Sequence, residues 1–427
     1  MYKLYNHKIE VWSHASSVIW HLKYKLSDVL SAQQERIRVI EAAAKTSVSV
    51  FAGSSGGGSG VLISPDGYAL TNFHVVQPAG ITMRCGLNDG ELYEAVLVGL
   101  DPTGDLAVIK LLGKDAFPYA PIGDSDTVSV GDTCYTIGNP FLLATNLQPS
   151  VSAGIVSGVH RYQFPAGTLL EYADCLQVDA AINPGNSGGG LFNASGELIG
   201  INGRASFEKR GRINVGAGYA ISANQVQNFL GILKSGHLAD HATLGATVAT
   251  SADGRVVVSD ILESSDTWRK GLRIDDEIIE LAGRSVRSVN AFKNILGTLP
   301  AGWRIPVVFR RAGRPSEIFI ELAGVHTPAM LNELMAGRRA PPSQSKPGNK
   351  PEPKPNPLAP DPADLPESIR KFYEPRFGYA NFYFNRIELE RVRDVLQRRK
   401  SASEQQETSW QYQGQLEAGG SFEIELG

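Results

Sequence analysis

This sequence predicts a mainly β protein, a barrel or sandwich and not a parallel sheet. Three observations carry that expectation. Short runs rich in Val, Ile, Leu and Thr recur between residues 47 and 222, punctuated by Gly, Pro, Asn and Asp. Glycine supplies 45 of the 427 residues, which suits a turn-rich architecture. The long polar-apolar periodicity of helices is confined to the ends and to a few short stretches. At this length the chain exceeds one ordinary core, so two or three domains are expected.

Composition removes several function classes. The chain is 42% apolar and 20% charged, as soluble globular proteins are, and no apolar stretch is long enough to span a bilayer. A net charge of −3 gives no reason to expect nucleic acid or an anionic membrane as partner. Three cysteines, Cys85, Cys134 and Cys175, cannot form a disulfide framework, and their apolar settings predict buried free thiols. No C-x-x-C, H-E-x-x-H or EF-hand loop is present, so neither a metal nor a cofactor is indicated.

Residues 1–46 read as helical, with Val29, Leu30, Ile37, Ile40 and Ala44 near helical spacing. Ser17–Trp20 is too short for the apolar core of a signal peptide, and His21–Lys25 interrupts it. Two readings stay open: a cytoplasmic chain, or a recorded start that differs from the natural one. Strands begin at Val48–Phe51. The glycine-serine run Gly53–Gly60 lacks the Lys-Ser/Thr ending of a phosphate-binding loop. Gly60–Ser64 and Tyr68–Thr71 flank Pro65-Asp66-Gly67 and read as a hairpin. Further strands are predicted at Tyr93–Leu100, Leu106–Leu112, Thr133–Ile137, Gly154–Val159, Leu198–Asn202 and Gly218–Ile221, and a helix at Ala223–Ser235.

The stretch Gln177–Leu191 organises the rest. Ser187 lies in Gly185-Asn-Ser-Gly-Gly189, where glycine permits positive φ and close approach of a substrate. Such a turn can present a hydroxyl beside inward-pointing N–H groups, the form of a nucleophile with an oxyanion hole. Taken alone it is equally a Gly-Ser turn of a hairpin. His74 taken alone is a surface histidine. Asp105 opens the apolar run Leu106–Leu112, an unusual place for a carboxylate without a partner. Asp101, beside Pro102, reads as an ordinary turn residue. Together, His74, Asp105 and Ser187 follow the order of a chymotrypsin-type triad at separations that suit two successive barrels. The same serine also fits the G-x-S-x-G elbow of α/β-hydrolase esterases. That fold needs a helix after the serine and Asp and His downstream, whereas Gly190–Gly196 reads as strand and turn.

Thr71-Asn-Phe-His-Val-Val76, Gly104-Asp-Leu-Ala-Val-Ile109, Ile137-Gly-Asn-Pro-Phe141, Gly154-Ile-Val-Ser157 and Asp179–Gly189 resemble the HtrA/Deg family of serine endopeptidases, from about Ser47 to Leu233. The resemblance implies a chymotrypsin-like double β-barrel, two perpendicular six-stranded barrels with the site in the cleft between them. It implies Ser187 as nucleophile, His74 as general base and Asp105 as its orienting carboxylate. The backbone N–H groups of Gly185 and Ser187 would form the oxyanion hole. Substrate contacts are expected at Asn183 and Pro184 and along Gly216, Ala217 and Gly218. The loop Arg204–Arg212 and the strand Val215–Tyr219 fall where the family builds its S1 wall, and small or medium apolar P1 residues are expected. The charged Phe207–Arg210 reads as a solvated loop.

A second β-rich pattern runs from Thr243 to Ala323, with strands at Val256–Val258, Asp276–Leu281, Ile305–Phe309 and Glu317–Leu322 and a helix at Val289–Leu296. It resembles the PDZ domains of these proteases. The resemblance implies strand addition of a peptide, with the carboxylate-binding loop at Leu244, Gly245 and Ala246. Residues 341–366 carry ten prolines and read as an extended linker. Phe372–Phe384 is aromatic-rich, Arg386–Arg399 helical, and Ser409–Leu426 reads as two strands around Ala418-Gly-Gly420. One hairpin is little for a domain, so a fragment is expected there. The organisation expected is therefore 1–46 helical, 47–236 protease, 243–324 PDZ, 325–366 linker and 367–427 tail. The resemblance implies unfolded proteins or peptides as substrates, C-terminal peptides at the PDZ domain, a homotrimer, and the periplasm or cell envelope. The competing reading is a proteolytically idle, chaperone-like peptide binder on the same fold.

Overall fold

A computed structural model of the chain describes residues 26–53, 56–139, 146–163, 172–207, 214–336, 358–403, 410–416 and 420–426. Outside them lie Ser17–Lys25, Pro140 and Phe141 of the Ile137 motif, Glu208–Arg210, most of the proline-rich segment, and Ser409, Ala418 and Gly419 of the tail.

Helix α1 (residues 26–45) comes first. The expected stripe of Val29, Leu30 and Ile37 is exposed, and burial falls instead on Val39 and Ala43, one turn apart. Among the described residues, only the last turns of α1 find an apolar surface to dock on.

A closed barrel follows, built from β1 (Ser47–Phe51), β2 (Gly57–Leu62), β3 (Tyr68–Thr71), β4 (Thr82–Leu87), β5 (Leu92–Asp101) and β6 (Leu106–Leu111), with the short helix α2 (Phe73–Val76) after β3. Neighbours run β1-β2-β3-β6-β5-β4. The glycine-serine run is thus partly strand: Gly57 to Leu62 pairs with both β1 and β3. The Pro65-Asp-Gly67 turn links β2 to β3, with Gly67 at φ +93° and its N–H donating to Ser64 O. Strand β6 reads as one apolar run because it is buried almost throughout, not on one face only.

The second barrel contains β7 (Thr133–Gly138), β8 (Ser150–Gln163), β9 (Tyr172–Val178), β10 (Gly190–Asn193), β11 (Leu198–Phe207) and β12 (Asn214–Ser222), in the order β10-β11-β12-β9-β8-β7. Its own core gathers Cys134, Val156, Val178, Leu191 and Ile199. Strand β11 extends through Arg204 to Phe207, where a loop is expected from the sequence. Register shifts against β12 mark where its pairing becomes irregular. Helix α3 (Ala223–Lys234) then buries Val226, Phe229 and Leu233; all three join the apolar cluster that the first barrel contributes to.

A third unit has strands β13 (Ala242–Thr243), β14 (Ala246–Thr250), β15 (Val256–Ile261), β16 (Glu277–Leu281), β17 (Arg284–Ser285), β18 (Arg304–Arg311), β19 (Arg314–Glu321) and β20 (Ala323–Gly324). Helix α4 (Asp266–Arg269) precedes β16, and α5 (Val289–Gly297) precedes β18. The sheet runs β14-β15-β16-β18-β19, which leaves β14 on an edge. Ser288 caps α5 by accepting from Ala291 N–H at 3.0 Å. Leu272, Ile278, Leu281, Val307 and Ile320 form a separate core.

After the third unit the chain returns to the first barrel. Helix α6 (Pro328–Met335) adds Leu331, Leu334 and Met335 to that core. Residues 358–366, expected as extended linker, are folded down instead: Leu358 and Leu365 are buried there too. Apolar side chains between the prolines account for the difference. Helix α7 (Glu367–Arg370) and the aromatic stretch follow, with Ile369, Tyr373 and Phe384 buried. Asn381 fastens this segment, donating through Nδ2 to Leu97 O at 2.8 Å and Phe372 O at 2.9 Å. Helix α8 (Phe382–Ser403) and the hairpin of β21 (Trp410–Leu416) and β22 (Gly420–Leu426) complete the described chain. Among the described residues no helix is long and apolar enough to cross a membrane.

Candidate active site

His74 sits on α2, directly after β3. Its Nδ1 lies 2.8 Å from Asp105 Oδ2 and 3.0 Å from Oδ1, and its own backbone N–H donates to Oδ1 at 3.0 Å. A carboxylate can only accept, so Nδ1 carries the ring proton and Nε2 is left as the acceptor. Asp105 is fully buried while the His74 side chain is 38% exposed. One partner is fixed and the other reaches the surface.

The turn holding Asp105 is itself built to order. Asp105 has φ +60°, a left-handed conformation that costs free energy for a residue with a side chain. Its carbonyl accepts from Phe73 N–H at 3.2 Å and from Asn72 Nδ2 at 2.9 Å, which ties it to the start of α2. Asp101, four residues earlier, is fully buried and accepts from Thr103 N–H at 3.1 Å and Gly104 N–H at 2.7 Å. It is a structural anchor of the Asp105 turn, more than the sequence reading as a turn residue conveys.

Ser187 comes from the second barrel, and its Oγ donates to Gly203 O at 3.1 Å. What brings its turn against α2 is contact between backbones. A Cβ on Gly188 would lie 2.2 Å from Ser59 O, 2.3 Å from Thr71 Oγ1 and 3.1 Å from Asn72 N, and Gly188 has φ +85°. Only glycine fits there. Ser59 on β2 makes the complementary contacts: its N–H donates to Ser187 O at 2.8 Å and its Oγ to Gly185 O at 2.6 Å. Asn139 N–H donates to the same Oγ at 2.8 Å. Nothing in the sequence singles out Ser59 within a glycine-serine run. The signal was the run itself, because a strand packed against another backbone must be made of small residues.

The remaining candidates divide. Asn183, Pro184 and Gly185 are partly exposed beside Ser187, with Asn186 N–H donating to Asn183 O at 2.9 Å. Among the described residues, the N–H groups of Gly185 and Ser187 donate to no protein acceptor. Gly216 is exposed, Ala217 partly so and Gly218 buried, and Gly218 pairs with Val178 across β12 and β9. Leu244, Gly245 and Ala246 lie in the third unit, at the entry to the edge strand β14. The Leu244 side chain belongs to that unit's core, and its carbonyl accepts from Thr267 Oγ1 at 2.6 Å.

One further cluster joins the second barrel to the third unit. Asp126, His160 and Asp174 are the one convergence of three metal-ligating side chains among the described residues. A protein cation already serves it, since Arg284 approaches Asp174 Oδ2 at 3.0 Å. The bond from Asp174 raises the His160 pKa. Burial pushes the Asp174 carboxyl upward, but the bonds from His160 and Arg284 outweigh it and hold it below the usual range. Asn294 of α5 completes the joint, donating to His160 O at 2.6 Å and accepting from Asp174 N–H at 3.0 Å.

Two barrels closed on six strands each, with a histidine paired to a buried aspartate from one and a glycine-bounded serine from the other, define a chymotrypsin-like protein. Residues 58–201 match the family model described as a trypsin-like peptidase domain. The chain belongs to the HtrA-type serine proteases. It is 32% identical to the solved "HtrA-type protease AlgW with tripeptide", covering 69% of this chain and 98% of that one at a TM-score of 0.56. It is 36% identical to the "Periplasmic serine endoprotease DegP" of Escherichia coli strain K12 over 62% of this chain and 56% of that protein. It is likewise 36% identical to a "Probable periplasmic serine endoprotease DegP-like" of Chlamydia trachomatis over 63% of this chain and 54% of that protein. The chain thus spans about half the length of the curated relatives it matches.

Proposed function

We propose that this chain is a serine endopeptidase that cleaves unfolded or misfolded protein through an acyl-enzyme. The observation that carries the reading is the buried Asp105 carboxylate bonded to both the ring and the backbone of His74, with the Ser187 turn packed onto the same strand end. In this reading Ser187 Oγ attacks the scissile carbonyl, and His74 Nε2 takes its proton and returns it to the leaving amine. Asp105 holds the ring in the needed tautomer and stabilises the imidazolium. The N–H groups of Gly185 and Ser187 receive the oxyanion, and loss of one such donor typically costs roughly 2.7–4 kcal/mol. Asn183, Pro184 and Gly216 to Gly218 line the substrate's path, with Ala217 admitting small or medium apolar P1 side chains.

The reading assigns 47–236 to the protease and 243–324 to a PDZ domain. The open edge of β14, entered through Leu244, Gly245 and Ala246, suits addition of a C-terminal peptide strand. A homotrimer and a cell-envelope location belong to the same proposal, on the strength of the family and of relatives named as periplasmic.

The test is labelling with a fluorophosphonate probe, followed by digestion of unfolded casein. Wild type should label and cut, and Ser187→Ala and His74→Ala should do neither. A folded wild type that neither labels nor cuts, with or without a C-terminal peptide, would favour the idle peptide binder.

A further inference from the structure

Asp105 has a third donor, which no motif announces. Tyr172, the first residue of β9, is 2% exposed, and its phenol donates to Asp105 Oδ2. The bond crosses between barrels, over a sequence separation of 67 residues. The carboxylate is then held from both ends: His74 N–H at Oδ1, the phenol at Oδ2, and the imidazole Nδ1 facing the two oxygens. With one end released, the carboxylate plane can turn about its Cβ–Cγ bond, and the ring it aligns turns with it.

Space for the phenol is provided by Gly203 on β11. A Cβ there would lie 2.4 Å from Tyr172 Cε1 and 2.6 Å from its hydroxyl oxygen. The carbonyl of this same glycine accepts from Ser187 Oγ. The tyrosine is therefore wedged between the residue that touches the serine and the residue that holds the histidine.

We infer that Tyr172 is a positioning residue of the hydrolytic site, orienting the first barrel's Asp105, and through it His74, from the second barrel. This rests on the proposed function, and it makes formation of the Asp–His pair depend on how the two barrels are seated. In this role the phenol acts through Asp105 and not on the substrate.

The deciding variant is Tyr172→Phe in the full chain, which keeps the ring and removes the hydroxyl. A hydrogen bond to a charged group is worth enough that kcat per fluorophosphonate-titrated site should fall about ten- to a hundredfold, with KM within about twofold. The downfield proton resonance of His74 Nδ1–H should shift or broaden, while the melting temperature changes little. In a second pair, Tyr172→Ala should be more impaired still, and Tyr172→Ala/Gly203→Ser should recover part of the lost kcat. The serine Cβ falls where the phenol edge lay, so its hydroxyl can reach Asp105. An unchanged kcat per titrated site in Tyr172→Phe, or a loss confined to the number of titratable sites and the melting temperature, overturns the inference. If wild type does not label, the functional reading fails separately, and the Nδ1–H resonance still decides: an unshifted signal in Tyr172→Phe refutes the positioning role.

Discussion

His241 and Asp101 are 140 residues apart in the chain, yet the ring Nε2 of one lies 2.8 Å from the carboxylate Oδ2 of the other. The ring's other nitrogen faces Gly297 O at 2.7 Å. Both ring nitrogens of His241 thus face oxygens, one from each side. It stacks on Phe229 with centroids 4.5 Å apart. One side chain thus links the Asp105 turn, α3 and the end of α5.

Removing one member of a buried pair leaves the other uncompensated, so Asp101→Ala should lower stability by about 3–5 kcal/mol in urea unfolding. It should also slow fluorophosphonate labelling, because Thr103 and Gly104 lose the acceptor that shapes the turn into Asp105. Asp101→Asn keeps an oxygen for those two N–H groups and should cost clearly less. Equal losses for the two variants would show that the turn does not depend on this acceptor.

Gly188→Ala should be damaging although it adds a single methyl. The new Cβ meets backbone and hydroxyl oxygens of the first barrel, and the positive φ adds about 1–3 kcal/mol of strain. Labelling of Ser187 should drop by more than the melting temperature alone explains, since the serine turn must move away from α2. Wild-type labelling rates in this variant would contradict the packing argument.

The joint at His160 and Asp174 sets a pH dependence with a definite sign. The folded pKa of His160 is raised above 6.5, so its contribution is complete below that value and is lost as pH rises through the raised one. That of Asp174 is lowered below 3.8, so its contribution is complete above 3.8 and is lost as pH falls through the depressed value. The gap in melting temperature between wild type and His160→Ala should therefore be widest near pH about 5 and narrow toward about 9. The effect should be small, since the imidazole is half exposed. A gap that widens with pH would reverse the assignment.

All three thiols should be silent in the native protein. Burial pushes Cys134 and Cys175 up to about 12 and Cys85 higher still. A thiol reagent at pH about 8 should titrate almost nothing until denaturant is added, and then all three cysteines. Fast reaction of the folded protein would mean that one of these strands opens readily.

Singly, His74 and Ser187 have ordinary readings and only Asp105, a carboxylate heading an apolar strand, is odd where it stands; their order and spacing together make the three legible. The groups that hold them in place are not odd. Tyr172 looks like any aromatic at the start of a strand, Ser59 like one more residue of a flexible run, and Asp101 like a turn former beside proline. Their roles depend on which backbone lies opposite, and that is fixed by the closure of two barrels over long sequence separations. Strand β4 was missed for a related reason: Thr82–Leu87 is short and carries arginine and glycine, and pairing with β1 and β5 sustains it. The exposed stripe on α1 shows the converse, since periodicity reports an apolar face and not what will cover it.

Asn381 reaches back across 284 residues to bond Leu97 O. At roughly 5–20 residues per second, a ribosome needs on the order of 15–60 s to make that stretch. Until the end of this interval the surface that Leu358, Leu365, Tyr373 and Phe384 will occupy stays wet. The apolar cluster that the first barrel contributes to is therefore complete only after translation has passed residue 384.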